Sequence, residues 1–402
     1  MVSLKEAIQA VAAFRSDWGI ETIPLDQSLR RVLAEDIFAD RDYPPFNRSA
    51  MDGYAIRWED IITNRIVSFT IIGEIFAGDN KTFKLRSGEA VKIMTGAAVP
   101  DDANAVIKKE DAVQSGNVVS FTVEQCLPYQ HIARKGGDVL KNGLSITKNR
   151  QINAGALSAL ASLGRSNIRV FRLPRVAILS TGNEITSVDV PITKHQIRDS
   201  NSFFIAGFLQ HYSITPVIKK IIQDDVESLI SNIEAVKDCD ILILSGGVSA
   251  GDADFVPDAL ERCGVQALFH KVKIKPGKPI WFGHHTNGLT VFALPGNPFS
   301  VQVASNIFIE PYLRSCFHLP PVTPFRLPIN VTRKKKVSID EFFPAKYAHE
   351  GALEISPIVF NGSGDITAIV HSHGIVHHPS AANDLMQDDL VDFYPWEKFT
   401  DQ

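Results

Sequence analysis

The chain has 402 residues, too many for one ordinary hydrophobic core, and its length predicts roughly two to four domains. Apolar residues make up 45% and charged residues 21%, which excludes a largely disordered chain. The 41 Lys and Arg against 45 Asp and Glu give a formal net charge of -4, which argues against general nucleic-acid binding but leaves room for a local basic patch that takes a small polyanion.

The N-terminus, MVSLKEAIQAVAAF, lacks the layout of a signal peptide and predicts a helix instead. Ser3 and Glu6 fit a capping box, and Leu4, Ile8, Val11 and Phe14 fall on one face. From about Glu21 to Arg150, short β-favouring runs (IVSFTIIG, EAVKIMTG, NVVSFTVE) alternate with Gly, Asp, Asn and Pro turns, the texture of a β-rich module. INAGALSALASLG at 152–164 follows as a helix ended by Gly164.

From about Arg172 to Leu319 the texture changes. RVAILSTG, TPVIKKII, DILILSGG, FHKVKI and LTVFALPG are expected strands, several apolar throughout. NSFFIAGFLQHY, DVESLISNIEAVKD, DADFVPDALERCG (its start limited by Pro257) and NPFSVQVASNIFIEPYLRS are expected helices. Strands buried on both faces and separated by helices predict a parallel α/β sheet. HLPPVTPFRLP at 318–328 carries four prolines and predicts a linker. LPINVTRKK, ALEISPIVF and LVDFYPW beyond it predict a small all-β C-terminal domain. The run Arg333–Lys336 fits a solvated strand or an edge guard. Cys126, Cys239, Cys263 and Cys316 are scattered without CxxC spacing, so a disulfide framework or thiolate zinc site is not expected, and reduced thiols in a cytoplasm are. No apolar run approaches the ~20 residues that span a bilayer, and no membrane partner is expected.

The most informative stretch is SGGVSAGDAD at 245–254, between a buried strand and a helix. Ligands of open α/β sheets bind at strand carboxyl ends. Gly246, Gly247 and Gly251 permit a sharp turn and close approach of the backbone, whose N–H groups favour an anion. Ser245 and Ser249 lie in the same candidate loop, and Asp252 and Asp254 supply carboxylates beside it. A hard divalent cation could bridge the two kinds of group, although a tight turn with a helix-capping Asp explains the same letters. In KVKIKPGKP, Lys271, Lys273 and Lys275 share one face if the run is a strand, and Lys278 adds a fourth cation. ALPGNPFS places Pro295, Gly296, Asn297 and Pro298 at another strand end, where Asn297 suits an N-cap and Pro298 the first helical position. Glu184 in LSTGNEI, Asp199 in IRDSN and Asp224 in IQDD would each be explained as a helix cap. Together with Asp252 and Asp254 they put five candidate metal-binding carboxylates around the loops of one sheet, a pattern suited to metal-assisted chemistry on phosphate. The β-rich module adds PPFNRSAMDGYAI, VKIMTGAAVP with the Thr95 hydroxyl, and ARKGGDVLKNG with Arg134, Lys135 and Asp138.

Taken in order, PPFNRSAMDGYA, IMTGAAVP, GGDVL, LSTGNEI, SGGVSAGDAD, KIKPGKP and LPGNP cover most of the chain and resemble the MoeA family of molybdopterin molybdenumtransferases. The resemblance implies a multidomain α/β fold. It has an N-terminal helix at 1–22 that is part of the linking region, a linking domain at 23–40 and 142–171, and a β-rich domain at 41–141. A three-layer MogA-like α/β domain at 172–319 and a C-terminal barrel-like domain at 320–402 complete it. It implies transfer of molybdenum from molybdate, the substrate, to adenylylated molybdopterin, with AMP released and Mg2+ required. It implies a homodimer too, with MogA-like or molybdoenzyme partners possible. The family's essential carboxylates fall on Asp52, Asp138, Glu184, Asp224 and Asp254, its threonine on Thr95, its lysines on Lys271 and Lys275, its proline turn on Pro295 and Pro298, and its C-terminal serine on Ser363. Two departures stand in the third motif: Gly137 where many relatives carry Glu, and Ala133 where an arginine is expected, with Arg134 or Lys135 as candidates to replace it. A MogA-type adenylyltransferase, a nucleotide pyrophosphatase and a non-catalytic gephyrin-like scaffold are the competing expectations.

Overall fold

The computed structural model describes residues 1–122, 126–248, 255–335, 337–350 and 352–397. They fold as two compact units, one of Met1–Glu35, Asn149–Ser158 and Ser166–Gln402, the other of Asp36–Lys148 and Ala159–Arg165.

The first unit is built on a six-stranded sheet in the order Ile218–Ile222, Val176–Thr181, Ile241–Ser245, Thr290–Leu294, Trp281–His285, Val265–His270. The first four strands are parallel, with Ser180 opposite Ser245 and Ser245 opposite Leu294. Every residue of the three central strands is buried, as their unbroken apolar runs require of a sheet covered on both sides. Alternate side chains serve the two faces. Ile178, Ile243 and Phe292 pack with Ile205, Phe299, Phe308 and the N-terminal helix. Ala177, Leu179, Leu242 and Leu244 pack with Leu229, Ile233, Val256 and Leu260. The result is the expected helix–sheet–helix layering.

The N-terminal helix, Leu4–Ala13, starts as its sequence predicts. The Glu6 N–H donates to Ser3 Oγ at 3.2 Å and the Ser3 N–H donates back to Glu6 Oε2 at 2.7 Å. Leu4 and Val11 are buried in the sheet's core, with Ile8 and Phe14 packed beside them. Each fully buried aliphatic side chain of this size contributes about 1.5–3 kcal/mol.

Three sequence expectations change here. The sheet is not wholly parallel, because Trp281–His285 runs antiparallel to both of its neighbours, Thr290–Leu294 and Val265–His270. The short turn through Asn287 and Gly288 leaves no room for a crossover between the strands it joins. The lysine run is not one strand. The strand stops at His270, Lys271 takes a left-handed φ of 68°, Val272 makes only an isolated parallel bridge to Val2, and Ile274–Lys275 joins a different sheet. Val272 and Ile274 still point inward and Lys273 and Lys275 outward. The proline-rich segment is not all linker either, since Phe325–Pro328 forms a strand with Leu390–Pro395.

That strand belongs to the C-terminal sheet, in which Ala352–Pro357, Asp340–Glu350, Gly374–His378, Leu390–Pro395 and Phe325–Pro328 follow one another. A bridge between Ile329 and Ile355 returns to the first strand and gives a barrel-like closure around Phe343, Ile355, Val376 and Phe393. Ile274–Lys275 adds to it in parallel, beside Asp340–Glu341.

The second unit holds a six-stranded sheet in the order Ala105–Lys108, Gly53–Ile56, Glu89–Ile93, Ser68–Ile75, Val118–Phe121, Ala112–Ser115. Its strands also alternate, Ala55, Val91 and Val106 on one side and Tyr54, Ala90 and Ile107 on the other. Gly53 is required by close packing, because a Cβ there would fall 2.0 Å from the Ile107 carbonyl oxygen.

Candidate functional site

In the first unit the strands ending at Thr181, Ser245 and Leu294 stop side by side, and each runs into a loop. Gly246 has φ +102° and donates its N–H to Leu294 O at 3.0 Å. A Cβ on it would lie 2.2 Å from Thr181 O. Gly247 has φ +64°, and a Cβ there would meet Val256 at 2.7 Å and Asp224 Oδ1 at 3.1 Å. Asn201 ties two loops together, donating from Nδ2 to Ser245 Oγ at 2.9 Å and to Gly296 O at 2.7 Å.

These loops open on a cavity of about 1550 Å³ whose other wall comes from the C-terminal barrel. Glu184, Asp224, Gly246, Gly247, Lys275, Lys278, Pro295, Gly296, Asn297, Pro298 and Ser363 all line it, so the structure brings most of the expected first-unit residues together. Asp224 is oriented by Thr181, whose hydroxyl donates to Oδ1 at 2.9 Å, while Asn183 Oδ1 accepts from its backbone N–H at 3.2 Å.

Other expected residues fall elsewhere. Lys271 does not line the cavity. Ser245 is 1% exposed and serves as the acceptor for Asn201. Asp199 is buried with both oxygens engaged, Oδ2 by the Ser180 hydroxyl at 3.0 Å and Oδ1 by the Ser202 N–H at 3.1 Å, so it anchors the helix Asn201–Leu209. Ser249, Gly251, Asp252 and Asp254 lie outside the described residues. Of the five carboxylates expected to hold a metal, Glu184 and Asp224 therefore reach the cavity, and among the described residues no three His, Cys, Asp or Glu side chains converge as a metal-binding group.

The cavity also contains residues that the sequence reading passed over. Arg333 belongs to the run read as solvated, yet its side chain is mostly buried. Its Nη1 lies 2.9 Å from Glu341 Oε2 and 3.1 Å from His378 Nδ1, and its guanidinium stacks 4.0 Å from the Phe343 ring centroid. Glu341 also faces Lys275 Nζ at 3.5 Å. Burial pushes the Glu341 carboxyl up, but the bond and charge of Arg333, together with Lys275, outweigh it and hold the group below its ordinary range. Among the described residues, Arg198 and Lys334 complete a lining of five basic side chains (with Lys275, Lys278 and Arg333) against the three carboxylates Glu184, Asp224 and Glu341. Such a wall suits a polyanion.

In the second unit the structure joins two of the expected residues. Asp52 Oδ1 accepts from the Thr95 backbone N–H at 2.9 Å and from its hydroxyl at 2.7 Å, and Lys109 Nζ lies 3.4 Å from Oδ2. The Thr95 N–H, then its hydroxyl and the Lys109 ammonium hold the Asp52 carboxyl below the usual range. Asp138 is exposed in the loop after Ile132–Ala133, with its N–H bonded to Tyr43 O at 2.9 Å. Arg134 stacks on Tyr129 at 3.7 Å, while Lys135 Nζ lies 3.7 Å from Asp42. Gly137 donates to Arg134 O at 3.0 Å within a tight turn, where a Cβ would lie 3.1 Å from that oxygen.

Comparison with known proteins agrees with both halves of this picture. Residues 2–164 match the family described as MoeA N-terminal region (domain I and II), and residues 177–315 match the one described as Probable molybdopterin binding domain. A molybdopterin molybdenumtransferase of Synechocystis sp. is 30% identical over 401 residues, covering 98% of this chain and 100% of the relative. One from Staphylococcus aureus is 32% identical over 402 residues, covering 97% of this chain and 94% of the relative. Among solved structures, a molybdopterin biosynthesis MoeA protein from Pyrococcus horikoshii OT3 superposes with a TM-score of 0.82 at 27% identity, covering 98% of this chain and 99% of that one.

Proposed function

The chain belongs to the MoeA family of molybdopterin molybdenumtransferases, and on that premise we propose that the cavity of its first unit takes adenylylated molybdopterin and molybdate. Its activity is molybdenum transfer to molybdopterin in molybdenum cofactor biosynthesis. The observation that carries the finer reading is the glycine turn Gly246–Gly247 at the carboxyl ends of parallel strands, on a cavity also lined by Lys275, Lys278 and Arg333. Adenylylated molybdopterin carries a pyrophosphate, and molybdate is itself a dianion. Backbone amides at the turn and the basic side chains would hold both charges, with Asn297 and Ser363 adding neutral polar groups.

Mg2+ is part of the proposal. Glu184 and Asp224 are the cavity carboxylates that would hold it, with Asp252 and Asp254 as expected further ligands from outside the described residues. When bound it would neutralise pyrophosphate charge as the anhydride breaks and AMP leaves. Asp52, Thr95, Asp138 and Arg134 of the second unit are proposed as further residues of the reaction, and a homodimer as the working assembly. Four buried, unpaired cysteines accord with a reducing cytoplasm, and among the described residues no helix is long and apolar enough to cross a membrane.

The test is incubation of the purified protein with adenylylated molybdopterin, Mg2+ and molybdate. Release of AMP that depends on molybdate supports the reading. Release at the same rate without molybdate would point to a nucleotide pyrophosphatase instead.

A further inference from the structure

Lys275 and Glu341 are direct partners across a parallel strand pairing, so the sheet register places the Lys275 ammonium 3.5 Å from Glu341 Oε1. The other carboxylate oxygen takes Arg333 Nη1 at 2.9 Å. His378, the cross-strand partner of Glu341 on its other side, accepts from the same Nη1 through Nδ1 at 3.1 Å. One carboxylate thus joins two cations that come from different segments of the chain. Its own side chain is only 10% exposed at the cavity wall, against 53% for Lys275 and 21% for Arg333, so its main effect on a cavity ligand passes through the two cations. Arg333 carries five N–H donors. Among the described residues no acceptor takes those on Nε or Nη2, which leaves them for an oxyanion in the fork geometry that suits one.

We propose that Glu341 is the internal counter-ion of the cavity's cationic wall, a positioning residue that keeps Lys275 and Arg333 together before an oxyanion binds and tempers their combined charge. The inference rests on the reading of this cavity as the oxyanion site. Two cations beside an unopposed dianion would hold it tightly and release it slowly. With the carboxylate between them they carry one net charge, enough to capture the oxyanion and weak enough to surrender it to the transfer step.

Glu341→Gln tests this, because it keeps the shape and an acceptor for Arg333 while removing the charge. Titration of the full-length protein with molybdate should give a Kd lowered by at least about fivefold, while kcat for molybdate-dependent AMP release falls. Simple loss of structure would weaken binding, so the sign separates the two. A folded Glu341→Gln protein with unchanged or weaker molybdate affinity overturns the proposal. Glu341→Asp withdraws the charge by one methylene and covers the case in which Gln does not fold. It should bind molybdate about twofold tighter than the wild type, and an unchanged or weaker Kd in it counts against the proposal equally. A wild-type protein that neither binds molybdate nor uses it sinks the functional reading and this inference together. A wild type that does both, beside variants of unaltered affinity, sinks this inference alone.

Discussion

Asn297 donates from Nδ2 to the Ser363 hydroxyl at 2.9 Å, joining the loop after the last parallel strand to the barrel turn Gly362–Gly364. The bond is exposed, so its worth to stability is small, at most about 1 kcal/mol. Its effect should appear in activity. Ser363→Ala and Asn297→Ala are each expected to lower AMP release about three- to tenfold, and the double variant should do little worse than either single one. A double-mutant cycle on rate checks this, since independent sites would give additive losses.

Gly246 and Gly296 make opposite predictions although both lie in the same group of loops. Gly246→Ala forces a Cβ to within 2.2 Å of Thr181 O at a positive φ. It should cost more than about 1–3 kcal/mol in urea unfolding and abolish most activity. At Gly296 a Cβ would have nothing closer than Gly246 Cα at 3.7 Å. Gly296→Ala should stay within about 1 kcal/mol of the wild type in the same assay.

Thr95 holds the Asp52 carboxylate through two donors. Thr95→Val removes the hydroxyl and keeps the backbone N–H. The Asp52 carboxyl should then titrate higher than in the wild type while remaining below its ordinary range, as followed by NMR. An unmoved titration would mean that the hydroxyl contributes nothing to the ionised state.

The pH dependence of stability should carry the mark of His378, a fully buried imidazole. Burial, followed by the charges of Lys335 and Arg333, pushes it below its ordinary value of 6.5, and Glu341 opposes them. The folded state therefore binds fewer protons than the unfolded state in this window. Its contribution is full above the unfolded value and is lost as pH falls through it toward the folded one. Urea midpoints should drop more between about pH 7.5 and about pH 5.5 in the wild type than in His378→Asn, which keeps an acceptor and does not titrate. Equal drops would assign the effect to other groups.

The loops of the parallel sheet were legible in the sequence for a local reason. RVAILSTG, DILILSGG and LTVFALPG are each an apolar run followed by a turn containing glycine, and no distant information is needed to read them as buried strands ending in loops. The lysine run was not legible, because alternation in KVKIK fits one strand and nothing in the letters reveals the left-handed residue at Lys271 that breaks it. Arg333 was missed for a tertiary reason. It looks like its lysine neighbours, and only Glu341, Phe343 and His378, brought up by other strands, make it a buried member of the cavity wall. Asp199 shows the opposite ambiguity, since a carboxylate near a strand end serves a helix start as readily as a metal, and here its Oδ1 accepts from the Ser202 N–H.

The most direct measurement is a crystal structure of the protein with adenylylated molybdopterin and molybdate. The pyrophosphate is expected against the Gly246–Gly247 turn and the oxyanion within hydrogen-bond reach of Lys275 or Arg333. A nucleotide bound elsewhere, with this cavity holding neither ligand, would contradict it.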